Sequence, residues 1–228
     1  MAGRRRKVSN PLALAVLSCL REQPMHPYEM ATTMRSRGKE HSIKLNYGSL
    51  YTVVDNLAKH GLIEAVEAVR EGRRPERTIY RLTDAGRAEL EDWMAELIAT
   101  PVKEYPQFEA ALSELPVLPP DRALDLLRER VSALESYIAR MGETLQGVSP
   151  GLPRLVLIES EYDLAMKRAE LEWVRGIVKE FEDGSFPGMD FWRRLHETEG
   201  SMREAADAMG WSDETSWDQG EGKKDAPQ

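Results

Sequence analysis

Asn46-Tyr47-Gly48-Ser49-Leu50-Tyr51-Thr52-Val53-Val54-Asp55-Asn56-Leu57-Ala58-Lys59-His60-Gly61 reads as one complete helix with both of its stops. Asn46 can accept from the free N–H groups of a first turn, and Gly61 is the natural residue for the left-handed step after a last one. Leu50, Val53, Val54 and Leu57 recur at helical spacing and fall on one side. Opposite them lie Gly48, Thr52, Asp55 and Lys59, flanked by Ser49 and Tyr51. That side is small and hydrogen-bonding, which suits entry into a DNA major groove: glycine allows close approach, and hydroxyls meet phosphates or base edges. The competing reading is a plain solvated face, so the neighbouring segments decide.

Upstream, Asn10-Pro11 starts a helix over 11–22 with Leu12, Val16, Leu17 and Leu20 inward, ending before Pro24. His26-Pro27 opens a second, with Tyr28, Met30, Ala31 and Met34 inward, closed at Gly38. Downstream the period changes. Residues 62–69 and 77–82 read as two strands around the glycine- and proline-marked turn 70–76. Thr83 then caps a fourth helix whose apolar positions are Leu90, Trp93, Met94, Leu97 and Ile98. Three helices, a hairpin and a helix make the order of a winged helix-turn-helix.

Charge separates along the chain in the same way. Residues 1–90 hold 16 Lys and Arg against 10 Asp and Glu, whereas the remainder holds 15 against 29. A basic front half on an acidic chain points to a polyanion partner for that half alone. Arg70, Arg73, Arg74 and Arg77 cluster on or beside the hairpin tip, Lys44 precedes the third helix, and Arg4, Arg5, Arg6 and Lys7 form a basic arm. The expected DNA-binding set is therefore Lys44, Asn46, Tyr47, Gly48, Ser49, Tyr51, Thr52, Arg70, Arg73, Arg74 and Arg77. No aromatic stacking platform is evident on this face, which argues against single-stranded RNA.

These residues also resemble a known family. Tyr47-Gly48-Ser49-Leu50-Tyr51, Leu57, Gly61-Leu62-Ile63, the wing Gly72-Arg73 and Tyr80-Arg81-Leu82-Thr83-Asp84-Ala85-Gly86-Arg87 are similar to the signature of PadR-type transcription regulators, across about residues 10–98. Trp93, the proline-bounded linker and Ala169-Glu170-Leu171-Glu172-Trp173 resemble, more weakly, the C-terminal helical domain of the longer members. The resemblance implies a homodimeric repressor of promoter DNA, often released by a small molecule, with Tyr51 near the DNA backbone. Pro75 and Glu76 depart from the wing pattern by setting a rigid, partly acidic step between the arginines.

The second half reads as helical. A short helix covers 107–114, and the proline-rich run 115–120 interrupts it. Asp121 caps a long helix in which Leu124, Leu127, Val131, Leu134, Ile138, Met141 and Leu145 alternate three and four apart, a coiled-coil seam that some partner helix must cover. Residues 154–182 form a second long helix with Leu155, Ile158, Tyr162, Ala165, Ala169, Trp173, Ile177 and Phe181 near one face, so the two make an antiparallel hairpin. From 184 onward an acidic, mobile tail with at most short helices around Phe191 and Ala205 is expected. The predicted fold is thus mainly α with a small β-hairpin: a winged helix over 1–99, a linker over 100–120, a helical domain over 121–183 and a tail over 184–228. Leu90, Trp93, Met94 and Leu97, the seam from Leu124 to Met141, Tyr162 and Trp173 are expected at the dimer contact.

Other chemistries find no support. Cys19 stands alone in an apolar run and reads as core, and the four histidines show no metal-ligand spacing. No nucleophile elbow, P-loop or dinucleotide fingerprint occurs, so neither an enzyme nor a cofactor is expected. No stretch approaches the roughly 18 apolar residues of a membrane span, which points to a cytoplasmic chain. Trp93, Tyr105, Phe108 and Trp173, with Tyr137 and Tyr162, are candidates for an effector pocket, against the plainer reading of core packing. A protein-interaction module built on the same elements is the competing functional class.

Overall fold

The computed structural model describes residues 6, 8–69, 77–148 and 151–197, with backbone alone at 41, 67–69 and 77. The chain divides into two compact units between Glu104 and Tyr105.

In the first unit, α1 (Pro11–Glu22) starts where Asn10 accepts the Leu12 N–H. α2 (Pro27–Ser36) starts on a reciprocal cap: the Tyr28 N–H donates to His26 Nδ1, and the His26 N–H donates to the Glu29 carboxylate at 2.8 Å. Gly38 turns left-handed at φ 67° after it, and a short 3-10 turn, Lys39–His41, follows. Asn46 accepts the Ser49 N–H at 2.7 Å and opens α3 (Tyr47–Lys59), whose buried residues are Leu50, Val53, Val54 and Leu57. Strands β1 (Ile63–Val69) and β2 (Arg77–Leu82) pair antiparallel, Ile63 opposite Leu82, with a register shift between Ala65 and Glu67. Met25 adds a bridge that the pattern did not reveal, exchanging backbone hydrogen bonds of 3.0 and 3.1 Å with Tyr80. It ties the α1–α2 junction to the wing.

Thr83 accepts the Gly86 N–H and begins α4 (Asp84–Ala99). α4 corrects one expectation. Leu90 and Trp93 are buried in the same core as Leu12, Leu17, Met30, Met34, Leu50, Leu57 and Ile63, so they serve the winged helix itself. Each such side chain contributes about 1.5–3 kcal/mol by leaving water. Met94, Leu97 and Ile98 stay exposed.

In the second unit, α5 (Gln107–Ser113) and a 3-10 turn (Leu115–Val117) lead to α6 (Pro120–Val148). α6 starts at Pro120, ahead of the expected cap, so Asp121 lies in its first turn and is not its cap. α7 (Arg154–Asp183) returns antiparallel. The cross-links run accordingly: Arg128 pairs with Glu182 towards one end and Tyr137 Oη donates to Asp163 Oδ2 at 2.6 Å towards the other, with Arg130–Glu170 and Glu135–Arg175 between them.

The seam on α6 finds its cover inside the chain. Leu127 and Leu134 are buried, and Leu124, Val131, Ile138, Met141 and Leu145 are half-buried. Of the expected face of α7 only its C-terminal end, Ile177 and Phe181, helps to cover them. Leu164, Leu171, Val174 and Phe181 are the buried residues of α7, whereas Leu155, Ile158, Tyr162 and Trp173 are 82, 56, 68 and 49% exposed. α7 carries two apolar stripes on opposite sides, and a helical period alone does not say which faces inward.

The short helix expected around Phe191 is present as α8 (Met189–Glu197), but it is docked and not part of a mobile tail: Trp192 and Leu195 are buried. Trp192 packs on Phe181 with ring centroids 5.6 Å apart and donates its indole N–H to the Leu118 carbonyl at 2.8 Å. No described helix is long and apolar enough to cross a membrane.

Candidate nucleic-acid interface

α3 presents the arc that its sequence foretells. Tyr47, Gly48, Tyr51, Thr52, Asp55 and Lys59 are exposed, as are Lys44 and Asn46 just before it, and Ser49 is half-buried. Asn46 spends one carboxamide lone pair on the Ser49 N–H. Among the described residues nothing demands glycine at 48, since an added Cβ would meet only the Asn46 side chain at an ordinary 3.8 Å.

Thr52 differs from expectation in its chemistry. Its hydroxyl donates to the Gly48 carbonyl at 3.0 Å, so towards a base edge it offers acceptor lone pairs and a methyl group. It would meet an amino group of adenine or cytosine, or a thymine methyl. Arg70, Arg73, Arg74 and the turn lie outside the described residues, as does the Arg77 side chain, whose backbone opens β2.

Beside α3 a cleft of about 310 Å³ is lined by Asn10, Pro11, Ser42, Ile43, Lys44, Asn46 and Ser49. The first turns of α1 and α3 meet there, beside Lys44. Asn10 and Ser42 line this cleft but are not in the expected set, because each reads locally as a cap or loop residue.

Three exposed tyrosines also appear here. The rings of Tyr28 and Tyr47 lie 6.1 Å apart and 10° from parallel. The Arg35 guanidinium sits 4.6 Å from the Tyr47 ring centre and donates to the Tyr47 hydroxyl. The expectation of no aromatic platform therefore fails, because Tyr28 and Tyr47 are 19 residues apart and only the packing of α2 against α3 brings them together.

The basic arm behaves otherwise than expected at Arg6. Its guanidinium donates to Glu89 at 2.5 Å, Glu96 at 2.6 Å and Asp92 at 2.9 Å, and it lies 5.7 Å from the Trp93 ring centre. Burial opposes the charge there, but the hydrogen bonds outweigh it and push the Arg6 pKa above its ordinary range. Arg6 serves α4 and is not displayed to DNA.

Of the effector candidates, Trp93 belongs to the core of the first unit, while Phe108 and Trp173 meet edge to face in the second, centroids 6.3 Å apart. Arg130 stacks on Phe108, its guanidinium carbon 3.5 Å from the ring centre, and pairs with Glu170. Tyr105 is exposed, and the Tyr137 hydroxyl is committed to Asp163. Among the described residues no group of His, Cys, Asp or Glu is placed to hold a metal ion. Burial pushes the Cys19 thiol up, away from its reactive form.

Comparison with known proteins places this geometry. Residues 16–92 match the Transcriptional regulator PadR-like family. Bacillus subtilis PadR in complex with operator DNA is similar with a TM-score of 0.58 at 18% identity, over 75% of this chain and 99% of that one. The same regulator in complex with p-coumaric acid gives 0.57 at 16%, over 77% and 99%. The Vibrio cholerae virulence activator AphA gives 0.58 at 19%, over 75% and 98%. At these identities the likeness is one of fold. No curated protein matches the chain.

Proposed function

We propose that this chain, whose residues 16–92 form a PadR-like domain, is a sequence-specific DNA-binding transcription regulator that acts as a homodimeric repressor on a palindromic operator. The observation that carries the reading is the exposed arc of α3, where Gly48 and Thr52 stand at the centre with Lys44, Asn46, Tyr47 and Tyr51 around them and half-buried Ser49 on one flank. A small, polar, exposed face opposite a fully apolar one is what a helix lying in a major groove requires. Wing arginines 70, 73, 74 and 77 would follow the phosphates on one flank. The cleft formed by Asn10, Ser42 and Lys44 would seat another phosphate.

Dimerisation rests on the outer stripe of α7. Leu155, Ile158, Tyr162, Met166 and Trp173, all exposed, fall within an arc of about 80° at helical geometry. A continuous apolar stripe of that length is rare on a monomer. Two-fold symmetry then sets half-sites about 34 Å, or a multiple of it, apart. A small-molecule effector is proposed by analogy with the p-coumaric acid complex of the Bacillus subtilis regulator, with Phe108 and Trp173 as its candidate contacts.

Selection of bound duplexes from a random library, followed by titration of operator and scrambled DNA across a salt series, tests the reading. Arg73→Ala or Arg74→Ala should weaken both duplexes alike and flatten the log–log salt slope by about one. Ser49→Ala or Thr52→Ala should cost about 1–3 kcal/mol on the operator alone. Equal losses on both duplexes from α3 and wing variants would refute α3 as the sequence reader, and no duplex binding at low salt would favour a protein-interaction module.

A further inference from the structure

The reading above puts phosphates at the wing and at the cleft before α3, and leaves the edge of α3 that faces α2 without one. A helix in the major groove has a phosphate strand on either side of it. Tyr47 marks the other edge: it lies next to buried Val54 on the helical wheel, at the boundary between the exposed arc and α2. There α2 adds a cation and a second ring. Arg35 donates through one guanidinium nitrogen to the Tyr47 hydroxyl and through Nε, at 3.0 Å, to Glu40, while Tyr28 stacks on Tyr47 from the start of the same helix. Tyr28 and Tyr47 are 56 and 40% exposed, and the side chains of Arg35 and Glu40 are 36 and 49% exposed.

The chemistry of this platform is that of an anion seat with its own counter-ion. A guanidinium has five donors in a rigid plane, and these two hydrogen bonds engage only part of it. The tyrosine ring and hydroxyl hold that plane in one orientation. An exposed carboxylate on a DNA-facing edge would repel phosphates, yet Glu40 sits there paired with Arg35, a cation that would attract them. Resting on the function proposed above, we propose that Tyr28, Tyr47 and Arg35 form the α2 half of the DNA grip, in which a backbone phosphate of duplex DNA takes the place of Glu40 on Arg35. Glu40 then acts as a resident competitor that holds down affinity for DNA of any sequence. It makes tight binding depend on the base contacts of α3.

The test uses the full chain and follows fluorescence anisotropy of operator and scrambled duplexes across a salt series, with thermal melting alongside. Arg35→Ala is expected to lower the log–log salt slope by about 0.9 on both duplexes, so that the affinity lost between about 50 and 200 mM salt shrinks about 3.5-fold. Arg35→Lys keeps the charge and should keep the slope. Glu40→Gln should tighten both duplexes, because no internal carboxylate remains to be displaced. An Arg35→Ala protein that binds more weakly with an unchanged slope would reduce Arg35 to a prop for Tyr47 and overturn the proposal. So would a Glu40→Gln protein whose affinity is unchanged or lower, a result that stands even if the Arg35 variants fail to fold. Failure of the unaltered protein to bind any duplex overturns the parent reading instead.

Discussion

Gly86 lies so close to the backbone of Leu62 that a Cβ built on it would overlap the Leu62 carbonyl, and would come within 2.8 Å of Leu82 Cδ1. The same carbonyl accepts the Thr83 N–H at 3.2 Å and the Thr83 hydroxyl at 3.0 Å. The start of α4 is thus clamped onto the residue that leads into β1. Gly86→Ala should destabilise the protein by about 2–3 kcal/mol through this overlap, although helix propensity alone predicts a gain of about 1 kcal/mol. Urea denaturation decides between the signs.

Gly48→Ala should have the opposite profile. Its Cβ meets nothing closer than 3.8 Å, so the fold should hold or gain about 0.5–1 kcal/mol. Operator affinity should fall by about 1–3 kcal/mol if the α3 backbone approaches a base edge. A melting curve and an operator titration on the same sample read both numbers. An unchanged affinity would remove Gly48 from the interface.

Arg6 neutralises three carboxylates spaced along one face of α4. Arg6→Ala leaves them facing one another over Trp93 and should cost about 1–3 kcal/mol of stability. Added salt should restore part of the loss, since screening relieves like-charge repulsion. Thermal melts at low and high ionic strength check both effects.

The two stripes of α7 should respond differently to substitution. Leu164→Ala, on the buried side, should destabilise by about 2–5 kcal/mol. Leu155→Glu, at a position 82% exposed, should leave the unfolding midpoint of the separated subunit near its original value and shift the protein to monomer in analytical ultracentrifugation. A monomeric parent protein at micromolar concentration would defeat the dimer proposal outright.

Acid should loosen the α6–α7 pair through Glu170. Burial works to raise its pKa, but the hydrogen bonds from Arg130 and Lys167 outweigh it and hold the carboxyl below its ordinary value of 4.5. The resulting stabilisation is full above that value and is lost as pH falls through the lower, folded-state pKa. Glu170→Gln should cost about 1 kcal/mol at neutral pH and should flatten the stability profile below about pH 5 relative to the parent. Denaturation series at several pH values measure the difference.

Much of this protein was legible in the chain because its signals are local. Asn10, His26, Asn46 and Thr83 cap the helices that follow them, and Gly38 and Gly61 take the left-handed turns that end α2 and α3. These interactions span a few residues and need no knowledge of the fold. The α3 faces followed too, since one apolar stripe on one helix leaves a single way to bury it.

Only the tertiary structure decided matters in which two distant segments compete or meet. α7 has two apolar stripes, and the one that α6 accepts became evident only when Leu164, Leu171 and Val174 were seen inside. Leu90 and Trp93 went to the winged-helix core because α1 lay within reach of them, and Arg6 left the basic arm for three carboxylates more than 80 positions away. The stack of Tyr28 on Tyr47, the Met25–Tyr80 bridge and the seat of Trp192 are likewise long-range. Sequence periodicity records that a side chain is apolar or charged; which neighbour satisfies it depends on how whole elements pack, and that is a property of the folded chain.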